Sequence, residues 1–481
     1  MLATAMPEFD LAVIGAGAAG LSVTAVAAQL GLRVVLIERA RMGGDCLNTG
    51  CVPSKALLAA AHAAQSAHGA GRFGIRLPEP AIDWDAVRAH VAGAITAIAP
   101  MDSEARFRAL GAEVLRGEAR FLDPATLGVD GRRITARRII IAAGSRAAVP
   151  PIPGLEAVPH LTNETLFALA QRPAHLLILG GGPVGLEMAT AHAGLGCRVT
   201  LVEAGQIAAR EDPELVDGLR RAVRAQGVTL IEGAAVTMVE PGTPREPGPT
   251  LVLAGGRRIT GSHLLVATGR RPNLERLALD AGNVRAGPSG IATDRGLRSV
   301  SNRRVFAIGD IADPAGIGPR AFTHVGSYHA AIVIRRALFR LPARLDYAAL
   351  PRVIYTAPAL AQVGLTEAEA RAAGHRVTLL RSALAENDRA VAEADTAGLV
   401  KLVLAGNRVL GAGILAPHAG EMIGVWTLAI ARRVPAAALA VLIVPYPTRA
   451  EAAKRALTGL FVPRLFASRT KSLVQLLIRL P

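Results

Sequence analysis

Phe9-Asp10-Leu11-Ala12-Val13-Ile14-Gly15-Ala16-Gly17-Ala18-Ala19-Gly20 is an apolar run that ends in a glycine loop. An alanine-rich helix is expected to follow as far as Leu30, then a second strand over residues 33–37, then Glu38. The chain repeats this order. Residues 176–179 lead into Gly180-Gly181-Gly182-Pro183-Val184-Gly185, a helix to about Leu195, and a strand over residues 198–202 that ends on Glu203. The first glycine and the acid are 23 residues apart in both copies. One GxGxxG is a weak signal. Two, each between a strand and a helix and each with an acid about 20 residues on, are a strong one.

This pattern suits a dinucleotide. Gly15 and Gly180 permit the tight turn, Gly17 and Gly182 let backbone approach a pyrophosphate, and Gly20 and Gly185 let helix and strand pack closely. The helix N-terminus then balances the phosphate charge. Glu38 and Glu203 are placed to accept hydrogen bonds from a ribose diol. Two such units predict an α/β chain with two Rossmann-like domains and two bound dinucleotides.

Between the units lies Gly43-Gly44-Asp45-Cys46-Leu47-Asn48-Thr49-Gly50-Cys51-Val52-Pro53-Ser54-Lys55, which holds two of the three cysteines in 481 residues. Five residues of helix advance about 7.5 Å, whereas a disulfide needs Cα atoms roughly 4.4–6.8 Å apart. Cys46 and Cys51 therefore cannot bridge inside one ideal helix. They can bridge if Cys46 lies on a loop or distorted turn and Cys51 near the start of the next helix, where Pro53 fits. A helix N-terminus would favour a Cys51 thiolate. The competing readings are a zinc ligand pair and a passive bridge. Zinc needs four ligands, and no second Cys or Cys/His pair is present, so redox chemistry is the better reading and no protein-held metal is expected.

Hydrophobic residues make up 51% and charged residues 19%, as in a globular chain of about three domains. The net charge of +16 is dispersed rather than blocked, so general arginine enrichment explains it better than a nucleic-acid partner does. Three cysteines do not make a secreted disulfide framework. Residues 1–8 lack the features of a signal peptide, and the best candidate span, residues 424–444, is broken by Arg432, Arg433 and Pro435. A reducing, cytoplasmic setting is expected. Residues 69–80 read as loop, 81–110 as helix and 138–142 as strand before Ala143-Gly144-Ser145. Pro150–Pro153 reads as a linker. Val266-Ala267-Thr268-Gly269-Arg270-Arg271-Pro272-Asn273 crosses back to a strand over residues 304–308 that closes on Gly309-Asp310. From Pro351 the pattern changes to short alternating strands and helices, and residues 459–481 form a basic, partly apolar tail.

The motifs GAGAAG, GGDCLNTGCVPSK, GGGPVGLE, ATGRRPN, VFAIGD and PYPTRAE, over about residues 8–460, resemble the FAD-dependent pyridine nucleotide–disulfide oxidoreductases. That family includes dihydrolipoamide dehydrogenase, glutathione reductase and mercuric reductase. The resemblance implies an FAD domain in two parts, residues 1–150 and 271–345, and an NAD(P) domain over residues 151–270. It further implies an α+β dimerisation domain over residues 346–464, with residues 465–481 as a basic amphipathic tail. It implies that Gly15, Gly17, Gly20, Glu38, Gly144 and Asp310 serve FAD, with Asp310 at the ribityl chain. It makes Cys51 the flavin-side thiol, Cys46 the interchange thiol, and Lys55 with Glu187 an ion pair beside the flavin. Gly180, Gly182, Gly185, Glu203 and Gly269 would serve the nicotinamide cofactor. An acid such as Glu203 accepts a 2′-hydroxyl and repels a 2′-phosphate, which predicts NADH. Arg198 and Arg210 keep NADPH open. The resemblance also implies a symmetric homodimer with an active site built from both subunits.

The chain departs from the family where disulfide-reducing members carry a general acid/base histidine. Here the segment is Val444-Pro445-Tyr446-Pro447-Thr448-Arg449-Ala450-Glu451. A phenol with reference pKa near 10 shuttles protons poorly beside imidazole near 6.5. Mercuric reductases carry tyrosine there, so Tyr446, with Glu451 nearby, suits contact with a metal ion or thiolate. The vicinal cysteine pair and N-terminal metal-binding domain of mercuric reductases are not seen, and Cys197 reads as a buried small hydrophobe. Cys46 argues against soluble transhydrogenases. His324, His329 and His418 read as packing or solvent-facing residues. The expected activity is NAD(P)H-dependent reduction of a small-molecule or metal-ion acceptor through the Cys46–Cys51 disulfide. A dihydrolipoamide dehydrogenase-type enzyme is the alternative. A different class of reading places the basic tail on an anionic membrane surface, although packing within an oligomer or against a domain accounts for it better.

Overall fold

A computed structural model of the chain describes residues 6–243 and 247–481. Of residues 1–8, in which no signal peptide is expected, residues 1–5 lie outside the described residues. Phe9–Ile14, Val34–Glu38, Glu113–Arg116 and the upper half of Arg132–Ile141 form a parallel sheet, joined by Val305–Ala307 on the far side of Arg132–Ile141. Phe9–Ile14, Val34–Glu38 and Val305–Ala307 are almost wholly buried, so their apolar runs are continuous rather than alternating, while the edge strand Glu113–Arg116 buries only Val114. The lower half of Arg132–Ile141 turns out into an antiparallel flap with Thr126–Val129 and Ala119–Asp123. The second unit repeats the arrangement with His175–Leu179, Arg198–Glu203, Val228–Glu232 and His263–Val266, all parallel. The C-terminal part is a five-stranded antiparallel sheet, ordered Arg352–Ile354, Ala359–Gly364, Arg408–Ala416, Leu399–Ala405, Thr378–Ala383, with helices packed on it.

Both glycine loops match the expected physics. Gly15 and Gly180 have φ of 103° and 112°, a region that side-chain-bearing residues rarely occupy. A Cβ on Gly20 would lie 1.9 Å from the Gly15 carbonyl, and one on Gly185 would lie 1.9 Å from the Gly180 carbonyl. Ala18–Gln29 and Pro183–Gly194 can therefore pack only because those positions are glycine.

Some boundaries differ from expectation. Cys46 lies in a short helix, Gly44–Asn48, rather than on a loop. The stretch at 81–110 is two helices, Trp84–Ile98 and Glu104–Ala109, separated by a 3-10 turn at Ala99–Asp102. Pro100 supplies no NH there to continue the ladder. The loop over 69–80 begins with a 3-10 turn, Gly69–Phe73. The apolar stretch at 424–444 is divided between Ala419–Ala431 and Ala436–Ala440, and no helix among the described residues is long and apolar enough to cross a membrane. The tail holds a helix, Ser468–Leu477, on which Leu473, Val474, Leu476 and Leu477 are all exposed.

Candidate functional site

The cysteine segment enters through two left-handed glycines, Gly43 and Gly44. A Cβ on Gly44 would stand 2.7 Å from the Gly17 Cα, so the segment lies directly against the first glycine loop. Thr49 and Gly50 then break the chain between Gly44–Asn48 and Cys51–His68. Gly50 is needed at that break because a Cβ would meet the Asp45 carbonyl at 2.9 Å. The break brings Cys46 and Cys51 into hydrogen-bond contact. Both stand as free thiols, the reduced form of the expected pair. Cys51 is the first residue of its helix, as predicted, and its Sγ lies 3.2 Å from Thr323 Oγ1.

The pair shares its proton unequally. The Cys46 hydrogen bond is the largest influence on Cys51. With Thr323 and Lys55 it outweighs burial and Glu187 and brings the thiol down to about 6. Cys46 is pushed up, first by that same hydrogen bond, then by burial and by the Cys51 charge. Cys51 is thus the thiolate and Cys46 the proton holder.

Cys51–His68 packs along Pro183–Gly194, and this sets Lys55 Nζ 2.7 Å from Glu187 Oε2. Glu187 is 5% exposed. Its other oxygen accepts the Tyr355 backbone NH at 3.0 Å, and Lys55 Nζ lies 4.5 Å from the centre of the Tyr355 ring. Sequence reasoning missed both Tyr355 and Thr323. They arrive from remote segments, and neither carries a motif of its own.

Asp310 lies in a 3-10 turn, Gly309–Ile311, at the end of the strand Val305–Ala307. It accepts from Ser145 Oγ at 2.5 Å. Burial raises its carboxyl, against Ser145 and Arg270. Arg270 Nε donates to Ser145 Oγ at 2.7 Å, and Nη2 pairs with Asp45 at 2.8 Å. Asp45 also accepts from Asn163 Nδ2 at 2.9 Å. The residue before Cys46 is thereby tied to the second unit, a link the sequence reading did not include. Gly144 and Gly269 lie at the two crossings between the units with φ of 66° and 145°, and a Cβ at either would meet nothing within 4 Å.

Glu38 accepts the NH groups of Ala16 and Ala40, both at 2.7 Å. Glu203 accepts those of Gly181 at 2.7 Å and Gly205 at 2.9 Å. Each carboxylate is thus fixed at the lip of its glycine loop with lone pairs left for a diol. A Cβ on Gly17 would find only the Gly44 Cα, at 3.9 Å, and one on Gly182 would find nothing within 4 Å. Both cradles are open where a pyrophosphate would approach, so the residues present fit FAD at the first loop and a nicotinamide dinucleotide at the second.

Tyr446 and Glu451 are not brought to the thiols. Tyr446 is 72% exposed on the C-terminal part, and its hydroxyl donates to Asp388 Oδ2 at 3.0 Å. That bond, followed by the Asp388 charge, raises the phenol's pKa. Glu451 accepts the Thr448 NH at 3.2 Å. Among the described residues no hydrogen bond joins either to Cys46 or Cys51. Cys197 is buried, as expected. His329 is fully buried between the Gly309 NH and the Tyr347 hydroxyl, His324 contacts the Pro351 carbonyl, and His418 is exposed.

The pyridine nucleotide-disulphide oxidoreductase family matches residues 9–333, and its dimerisation domain matches residues 350–457. A mercuric reductase of Streptomyces lividans is 39% identical over 466 residues, covering 93% of this chain and 95% of that protein. A dihydrolipoyl dehydrogenase of Geobacillus stearothermophilus is 33% identical over 466 residues, with the same coverage. The HOCl-induced flavoprotein disulfide reductase RclA of Escherichia coli, as its Cu(II) complex, superposes with a TM-score of 0.84 at 26% identity, covering 95% of this chain and all of that one.

Proposed function

The chain belongs to the pyridine nucleotide-disulphide oxidoreductase family, and we propose that it is an NADH-dependent member that delivers electrons to a soft metal ion. It is an FAD-dependent disulfide oxidoreductase of a family that uses NAD(P)H. FAD, when bound, carries two electrons between a reduced nicotinamide and the dithiol pair. Gly15, Gly17, Gly20, Glu38, Gly144 and Asp310 hold it in this reading, and Lys55, fixed by Glu187, stands beside it. The cation, Thr323 and the Cys46 thiol keep Cys51 ionised. From that state, joining the two sulfurs releases two electrons and the single Cys46 proton. The dimerisation domain suggests a homodimer, and we assign Tyr446 to the thiol pair of the second copy. Glu203 at the second glycine loop favours a free 2′-hydroxyl, hence NADH.

The observation that carries the acceptor reading is Tyr446 itself. Its phenol donates to Asp388 and its pKa is raised, so it is neutral at physiological pH and a poor proton shuttle. Cleaving a disulfide acceptor requires a proton for the leaving thiolate, whereas a thiolate-bound metal ion requires none at that step. The mercuric reductase relative and the Cu(II) complex of RclA support the same chemistry. The test is NADH oxidation by the FAD-loaded enzyme with Hg(II), Cu(II), lipoamide and glutathione disulfide in parallel. A metal ion should exceed both disulfides by about 100-fold, the scale of a missing acid/base. Lipoamide turnover equal to that with metal would overturn the reading in favour of the dihydrolipoamide dehydrogenase type, to which the 33% relative points.

A further inference from the structure

A second charged constellation lies on the first sheet, away from the thiols. Val305 pairs with Ile139 in parallel register, and the Ile139 NH donates to the Arg304 carbonyl at 3.0 Å. Arg304 therefore stands beside Arg138. Arg298 forms an antiparallel bridge with Phe306, and its guanidinium lies 5.3 Å from the centre of that ring. Residues two apart on a strand share a face, so Arg138, Arg304 and Arg298 stand on the same side. At about 3.3 Å per residue, Arg138 and Arg304 sit roughly 10 Å before the strand ends at Ile141 and Ala307, beyond which Gly144 and Asp310 serve the site already described.

More arginine is brought in by the chain that follows Thr323–Val333. The helix widens into a π-turn, Ile334–Leu338, which carries Arg336, and Arg340 then takes a left-handed φ of 55°. π-turns and left-handed non-glycine residues are both uncommon, and π-turns recur at functional sites. The arginines feel one another. After burial, Arg298, Arg340 and Arg304 depress Arg138, while Arg336 and Arg303 depress Arg298. Among the described residues Arg336 alone of these six has an ion pair, with Asp294 at 3.0 Å. Arg298 Nε is sealed from solvent and has no acceptor. Arg138 and Arg298 are thus each surrounded by like charges, and the one carboxylate beside the group, Asp294, is already paired with Arg336, so the cluster carries an excess of positive charge.

We propose that this arginine cluster is a binding site for a multiply charged oxyanion of the phosphate class, separate from both dinucleotide cradles. Guanidinium forks match phosphate oxygens two at a time, and no acid other than Asp294 is paired within the group. The probe is inorganic triphosphate, titrated into the FAD-loaded full chain with NAD+ saturating the second cradle. Binding is read by calorimetry and by the thermal midpoint, against sodium chloride at matched ionic strength. Triphosphate should bind at one site and raise the midpoint beyond the chloride control. An Arg304→Gln/Arg340→Gln variant should bind at least about tenfold more weakly, as expected for lost charged hydrogen bonds. Relief of repulsion should leave that variant no less stable than the parent at low salt without ligand. A nucleoside triphosphate binding no tighter than triphosphate assigns recognition to the phosphates alone, and tighter binding adds the nucleoside to the same site. Stabilisation matched by chloride, or affinity unchanged in the variant, would overturn the proposal.

Discussion

At the level of single residues, the chemistry turns on which sulfur keeps the proton. Cys51 is depressed chiefly by one neighbour, the Cys46 thiol, with Thr323 and Lys55 as smaller contributors. Deleting that donor without adding another should leave burial less opposed. Cys46→Ala is therefore expected to move the pH midpoint for alkylation of Cys51 upward from about 6 toward the ordinary thiol value near 8.5. The reactive thiolate would then persist only at higher pH. Iodoacetamide labelling of the reduced enzyme across pH, with mass-spectrometric assignment, measures this. An unmoved midpoint would place the control with Lys55 and the helix terminus instead. The two cysteines, Lys55 and Glu187 were legible because they sit in compact motifs. Thr323, Tyr355 and the Arg270–Asp45 pair were not, because tertiary packing joins side chains more than a hundred residues apart. Tyr446 was legible as a departure from the family, but its Asp388 partner was not, since that contact forms between two separate elements of the C-terminal part.

At the level of elements, the decisive device is the break between two helices. Gly44–Asn48 and Cys51–His68 are separated by Thr49 and Gly50, and Gly50 lies against the Asp45 carbonyl. Gly50→Ala should push the two helices apart at a cost of about 1–3 kcal/mol, as for other overpacked sites. Mild oxidation should close the Cys46–Cys51 bond in the parent chain and leave Cys197 as the titratable thiol under denaturing conditions. In the variant all three should remain titratable. A variant that oxidises as readily as its parent would mean that the break has slack. The sequence predicted the second helix from Pro53 but put Cys46 on a loop or distorted turn, because the disulfide distance excludes one continuous helix and five residues are too few for periodicity to show a separate one. The two βαβ units were readable since each carries its glycines, strand and acid in one stretch. The expected helix over 81–110 ran too long because good helix formers lie on both sides of Pro100, Ala92, Ala94 and Ala97 before it and Glu104, Ala105 and Ala109 after it.

On the scale of the whole molecule, the second unit is fastened to the C-terminal sheet by a buried ionic knot. Lys401, 5% exposed, pairs with Asp212 at 2.9 Å, Glu214 at 3.0 Å and Glu367 at 3.1 Å. Asp212 also caps Pro213–Ala225, and its own NH donates to Gln362 across the junction at 2.9 Å. Arg352 adds a pair to Glu211 at 3.0 Å. This junction fixes the second glycine-loop unit relative to the C-terminal part, which also holds Tyr446, so it sets the geometry on which both ends of the proposed electron route depend. Arg381, then Lys401, hold Glu214 down at about 2 against an ordinary 4.5. Its contribution to stability is therefore present above pH 4.5 and lost as pH falls toward 2. Lys401→Met removes the cation and strands Asp212, itself 2% exposed. A buried charge left without its partner costs about 3–5 kcal/mol, so the variant's urea midpoint should fall accordingly at neutral pH. Adding Asp212→Asn keeps the helix cap while removing the stranded charge, and should restore most of the loss. If the single variant unfolds with its parent, the knot is not what joins the two parts. If the double variant is no better than the single, lost packing of the lysine stem, rather than the bare carboxylate, governs the junction.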